Sequence, residues 1–142
     1  MILCDTGPLV AAAVTNDDNH YISVELWTGL RLANRQLLLP ETVCAEVGYL
    51  LERKLGSRAE AAFHRSIADG DYDLVTIQPE DHGRIAELIE QYEDLGLGTT
   101  DASVIALAER LDVAEIATLD RRHFTVVRPA HVTAFTLLPE RL

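Results

Sequence analysis

Lysine is nearly missing from this chain. Of its 12 basic residues only Lys54 is a lysine, against 23 acids, and the net charge is -11. A protein that coats nucleic acid by bulk electrostatics needs many phosphate-neutralising cations, so that mode is excluded. A nuclease whose own acids hold metal ions is not: with four acids on divalent cations, the rest of the chain would carry -7. The other basic residues are all Arg, the better fork for phosphate. Cysteine is scarce too. Cys4 and Cys44 each sit in an apolar stretch, with no C-x-x-C pair and no His spacing that suggests zinc. They read as two small buried hydrophobes in a reducing cytoplasm. No apolar run approaches the roughly 18 residues of a membrane span. The opening "MILCDTGPLVAAAV" lacks the basic start of a signal peptide and carries Asp5 and Pro8 inside the would-be hydrophobic region, so a cytoplasmic protein is expected. Aromatic residues are only 6% of the chain, too few for a base-stacking platform interleaved with cations.

What is present is ordinary globular composition: 48% hydrophobic and 25% charged residues over 142 positions. That length fits a single domain over residues 1–142, with no repeat, low-complexity tract or linker at which to divide it. "MILCD" reads as a short strand and "TGP" as a turn, with Pro8 suited to the first helical position. "NHYISVELWTGLRLAN" has helical spacing, "QLLLP" is a strand closed by Pro40, and "ETVCAEVGYLLERKL" is a helix ended by Gly56. A second helix is expected from Ser57 to Gly70, followed by a strand, "YDLVTI". Pro79 opens and Gly96 closes a further helix. "TTDASVIALAERL" is a helix, "EIATLD" a strand, "TVV" a short strand and "VTAFTLL" an edge strand. Strands alternating with helices indicate an α/β fold around a mainly parallel sheet. Ligands of such sheets bind outside the carboxyl ends of the strands.

Four acids meet that criterion or border it. Asp5 ends the first strand; its alternative is a helix N-cap, but with Pro8 as first helical residue Gly7 would be the cap. Glu46 borders the buried stripe Val43, Val47, Leu50 and Leu51, whereas Glu41 and Glu52 face solvent. Asp101 lies in a first helical turn, where the macrodipole alone would stabilise it, yet it shares a side with Val104, Ile105 and Ala108. An inward carboxylate there needs a cation or hydrogen-bond donors. Asp120 ends the run "EIATLD" on the same face as Thr118; a turn-forming Asp is its alternative. Converging carboxylates without interleaved Lys cannot all stay ionised unless a cation joins them. An all-oxygen donor set favours Mg²⁺ or Mn²⁺ over zinc. The matching chemistry is metal-assisted phosphodiester hydrolysis, with Arg121 or Arg122 as candidates to hold an RNA backbone.

In their order and spacing, "DTGPL", "ETVCAEVGYLL", "TTDASVIALAERL" and "TLDRRHF" resemble PIN-domain proteins, in particular the VapC-type toxins of bacterial toxin–antitoxin pairs. The resemblance spans nearly the whole chain. It implies a three-layer α/β/α PIN-like fold and a Mg²⁺- or Mn²⁺-dependent endoribonuclease. Asp5, Glu46, Asp101 and Asp120 would be the acidic metal site, with Thr6 and Thr118 as supporting hydroxyls. It also implies a homodimer silenced by a small cognate antitoxin. A Ser often follows the first Asp-Thr in this family; Gly7 stands there instead.

Other residues invite less. His20, His64, His82 and His131 lack ligand spacing. His123 stays open, being three residues from Asp120, as a base for a 2′-hydroxyl that the acid cluster would make unnecessary. Asp17 and Asp18 read as a solvated loop and helix cap, and Leu26, Trp27 and Leu30 as core or a dimer surface. No Ser-His-Asp or Cys-His set argues for a covalent mechanism. The competing function is a non-catalytic module of the same fold, its acids docking a basic segment of a partner. A receiver-like phosphoacceptor would want an acid pair after the first strand and a late-strand Lys; Thr6 follows Asp5, and Lys54 lies in a helix.

Overall fold

The first strand, β1 (Ile2–Cys4), has every side chain fully buried. Successive strand residues point to opposite faces, so both faces of the sheet are covered at its centre. The computed structural model describes all 142 residues. After β1 come α1 (Thr6–Ala13), α2 (His20–Leu32) and β2 (Leu37–Pro40). Then follow α3 (Glu41–Leu55), α4 (Ser57–Ala68) and β3 (Asp73–Val75). The chain continues through α5 (Pro79–Gln91), a 3₁₀ turn (Glu93–Leu95), α6 (Thr99–Leu111) and β4 (Glu115–Ala117), and ends with α7 (Arg121–Val126) and β5 (Thr136–Leu138). No helix is long and apolar enough to cross a membrane.

All five strands are parallel, in the order β3-β2-β1-β4-β5, and helices cover both faces to give three layers. One contiguous apolar core runs from Ile2 and Leu39 through Val47, Leu88 and Leu107 to Ile116 and Phe124. The order of connection reverses between β1 and β4, which opens a crevice outside their carboxyl ends. Register fixes what lies there. Cys4 pairs with Ala117, and the ladder continues as Asp5 N donates to Ala117 O at 2.9 Å and Thr118 N donates to Leu138 O at 2.9 Å.

Several sequence expectations change. Helix α1 begins at Thr6, so Pro8 is its third residue, and Asp5, not Gly7, holds the cap position. Pro is tolerated anywhere in the first turn, where amides have no helical partner. The expected strand "TVV" is the end of α7: Phe124 and Val127, three apart, are buried while Thr125 and Val126 are exposed. Helix α4 stops at Ala68, short of Gly70, and α5 at Gln91, where the 3₁₀ turn takes over before left-handed Gly96. Cys4 is buried as expected, Cys44 only half-buried; both are free thiols. Trp27 is core, its indole N–H donating to Pro8 O at 2.9 Å. Helix α3 ends at Gly56, whose φ of +93° suits a residue without Cβ.

Candidate active site

Asp5 leaves the carboxyl end of β1 and is only 5% exposed. Although it sits at the cap position of α1, its side chain makes no capping bond; instead Oδ2 accepts the Thr118 hydroxyl at 2.7 Å. Burial raises its carboxyl pKa from 3.8 to about 7, helped by the charge of Asp101 and, more weakly, of Glu46, and opposed by hydrogen bonds from Thr118 and the Thr6 amide. Both neighbours that raise it are themselves carboxylates. Beside it, the hydroxyl of Thr6 is buried with no hydrogen-bond partner.

Thr118 is fully buried one residue past β4, and its hydroxyl accepts the amide of Asp120 at 2.9 Å while donating to Asp5. It therefore ties the first acid to the last. Asp120 caps α7: Oδ1 accepts the His123 amide at 2.9 Å, and Oδ2 lies 2.9 Å from His123 Nδ1. The same ring nitrogen lies 2.5 Å from Asp101 Oδ2 in the first turn of α6. Burial pushes the Asp101 carboxyl above its ordinary range, against the hydrogen bond from His123, and the charge of Asp120 adds to the rise. Glu46 is half-buried on α3, and its Oε2 accepts the Thr100 hydroxyl at 2.6 Å.

One ligand atom each from Asp101, Asp120 and His123 lie within 4.8 Å of one another. Asp5 and Glu46 stand outside that tight group but within electrostatic reach of Asp101. Helix α6 is held to α3 by two hydroxyl contacts, Thr100 to Glu46 and Thr42 to Ser103 at 2.6 Å, with Ser103 in turn donating to Thr100 O. Nothing in the sequence marks Thr100, Thr42 or Ser103. The bridging place of His123 was signalled only by its three-residue distance from Asp120.

The two candidate arginines differ. Arg121 is half-buried, donates to Pro139 O, and burial lowers its pKa. Arg122 is exposed. At Gly7 an added Cβ would lie 3.4 Å from Leu119 Cβ, an ordinary contact, so the space for a side chain exists but Leu119 forms its wall.

Residues 2–128 match the PIN domain family model. The chain belongs to the PIN-domain family. Within it, the chain is of the VapC type: Ribonuclease VapC26 of Mycobacterium tuberculosis is 35% identical over 103 residues, which span 72% of this chain and 76% of that relative. Solved structures share the fold of this PIN domain. The crystal structure of Mycobacterium tuberculosis VapC20, a sarcin–ricin loop cleaving toxin, matches with a TM-score of 0.77 at 18% identity, covering 87% of this chain and 92% of that one. VapBC2 of Rickettsia felis, bound to a DNA fragment from its promoter, matches with a TM-score of 0.67 at 18% identity, covering 96% and 97%. FitAcB of Neisseria gonorrhoeae gives 0.64 at 18% identity, covering 87% and 91%.

The donor chemistry suits a divalent cation. Carboxylates held toward their protonated forms first by burial and then by one another's charge, beside an orphaned hydroxyl at Thr6, form a pocket deficient in positive charge. Oxygen donors of this kind suit Mg²⁺ or Mn²⁺.

Proposed function

We propose that this PIN domain is a divalent-metal-dependent endoribonuclease, the toxin of a toxin–antitoxin pair. The observation that carries the reading is that Asp5, Asp101 and Asp120, at the carboxyl ends of β1 and β4 and the start of α6, and Glu46 on α3, lie within electrostatic reach as one chain of neighbours, Asp101 linking the others. The 35% identity to a protein named a ribonuclease supports RNA as substrate.

Asp5, Asp101 and Asp120, with Glu46 directly or through water, would hold Mg²⁺ or Mn²⁺. The bound ion supplies positive charge to a phosphoryl oxygen and lowers the pKa of water. The residues of the chain do the rest. Thr118 fixes the carboxylate of Asp5 relative to the backbone of Asp120. Thr100 orients Glu46. Exposed Arg122 is the candidate to grip a backbone phosphate, while Arg121 is tied to Pro139 O and less free to do so. Cleavage by water in this manner leaves 5′-phosphate and 3′-hydroxyl ends.

The likeness to VapBC2 and FitAcB supports a small antitoxin as partner, and an acidic pocket suits an inserted Arg or Lys side chain. A homodimer and a cytoplasmic location complete the reading. The test is incubation of the purified chain with total tRNA and a ribosomal RNA fragment, with Mg²⁺, Mn²⁺ or chelator, beside Asp5→Asn. Discrete metal-dependent fragments are expected from the wild type alone. A folded Asp5→Asn that cleaves like wild type would remove the acid site. A folded wild type that neither cleaves nor binds metal would leave the docking-module function standing.

A further inference from the structure

The acid site contains a nitrogen that hydrolysis by carboxylate-held ions does not require. His123 Nδ1 lies 2.5 Å from Asp101 Oδ2 and 2.9 Å from Asp120 Oδ2, inside the one group of ligand atoms that converges to within 4.8 Å. Donors adjacent on an ion with bonds of about 2.1 Å stand roughly 3 Å apart and opposite ones about 4.2 Å, so a group within 4.8 Å, with His123 Nδ1 2.5 and 2.9 Å from its two partners, is compact enough to close on one ion. The cap of α7 does not account for the ring, because the backbone amide of His123 already satisfies Asp120 Oδ1. Nor is the ring tied elsewhere: its protein contacts run through Nδ1 to the two acids. Helix α7 thus delivers Asp120 and His123 as one rigid turn, facing Asp101 across from α6.

Resting on the metal-dependent reading above, we infer that His123 Nδ1 is an ion ligand with Asp101 and Asp120, and that the site selects a first-row transition ion over Mg²⁺. The chemical reason lies in the donor set. Mg²⁺ holds oxygen ligands and gives up water reluctantly, whereas imidazole suits transition ions. A nitrogen cannot donate a proton and coordinate at once, so the ion takes the place of the Nδ1 proton and the ring keeps its proton on Nε2. In the metal-free chain Nδ1 itself stands between the two carboxylates.

The experiment uses Mn²⁺ alone, without RNA. Pulsed electron paramagnetic resonance of Mn²⁺ bound to the full wild-type chain should show nuclear modulation from an imidazole nitrogen. Calorimetric titration should give Mn²⁺ a Kd at least tenfold below that of Mg²⁺. In His123→Gln, checked for folding by circular dichroism, the nitrogen signal should vanish and the Mn²⁺ advantage should close by about tenfold. Asp120→Asn should weaken both ions. Bound Mn²⁺ without nitrogen modulation in the wild type, a measurement that needs no variant, overturns the inference and leaves the oxygen-ligand site in place. Equal weakening of both ions in His123→Gln also overturns it, leaving His123 a positioning residue. Binding of neither ion by the wild type removes the metal-dependent reading itself.

Discussion

Thr118 has no exposed surface, and its single hydroxyl both donates to Asp5 and accepts from the Asp120 amide. Replacing it with Val keeps the shape, removes both bonds and leaves the Asp5 carboxylate short of a donor. Loss of a buried hydrogen bond to a charged group costs about 1–3 kcal/mol. Partners that orient metal-holding groups typically contribute 10–100-fold, so Thr118→Val should lower both stability to urea and metal affinity on that order. Unchanged metal affinity in the folded variant would show that Asp5 does not depend on Thr118 for its position. At this scale the sequence was partly legible. Asp5, Asp101 and Asp120 stood out because strand ends and first helical turns are countable positions. The hydroxyls of Thr100, Thr42 and Ser103 were not, since which rotamer meets which partner across α3 and α6 depends on packing, not on local spacing.

At the scale of elements, the informative error is α7. Thr125, Val126 and Val127 are β-branched and invite a strand reading. Two forces override that preference. Asp120 caps the segment with a side-chain acceptor for the His123 amide, and Phe124 and Val127 bury on one side at helical spacing. Tertiary burial and a cap outweigh propensities of a few tenths of a kcal/mol. The start of α1 was misplaced for a related reason: a Pro fixes φ but not which residue of the first turn it becomes. A pair of variants separates structure from chemistry at α7. Asn is as good an N-cap as Asp, whereas Ala costs about 1 kcal/mol. Denaturation should therefore show Asp120→Ala destabilised by about that amount and Asp120→Asn within a few tenths of wild type. Both should lose metal-dependent cleavage, since neither side chain carries the charge. Equal destabilisation of the two would mean that the Asp120 cap contributes nothing to α7.

For the whole molecule, the alternation of strands and helices sufficed to expect a parallel sheet and a site at its carboxyl edge. Strand order did not follow from sequence; it comes from which apolar strands bury most completely, with β1 at the centre and the half-exposed β3 at the edge. The net charge of -11 gains its meaning from this arrangement, because part of it is concentrated in the crevice beside β1 and β4. That concentration makes stability depend on pH and metal together. Asp5 is held at about 7 in the folded chain against an ordinary 3.8, so the folded state keeps its proton where the unfolded chain has lost it. The sign follows by linkage: the contribution is fully present below pH 3.8 and is lost as pH rises through about 7. A shift of that size corresponds to roughly 4 kcal/mol. The raised Asp101 acts in the same direction. Glu109, lowered by Arg84 despite its burial, acts oppositely, but its stabilisation is lost only on acidification from about 4.5 downward, below the window that isolates Asp5. In chelator, the unfolding free energy should fall between pH 5 and 8, and Asp5→Asn should flatten that slope and exceed wild type at pH 8. A divalent ion that binds only the folded carboxylates should restore stability at pH 8 and do little at pH 5. Parallel pH profiles for wild type and Asp5→Asn would show that the charge of Asp5 is relieved by something other than its proton or a metal.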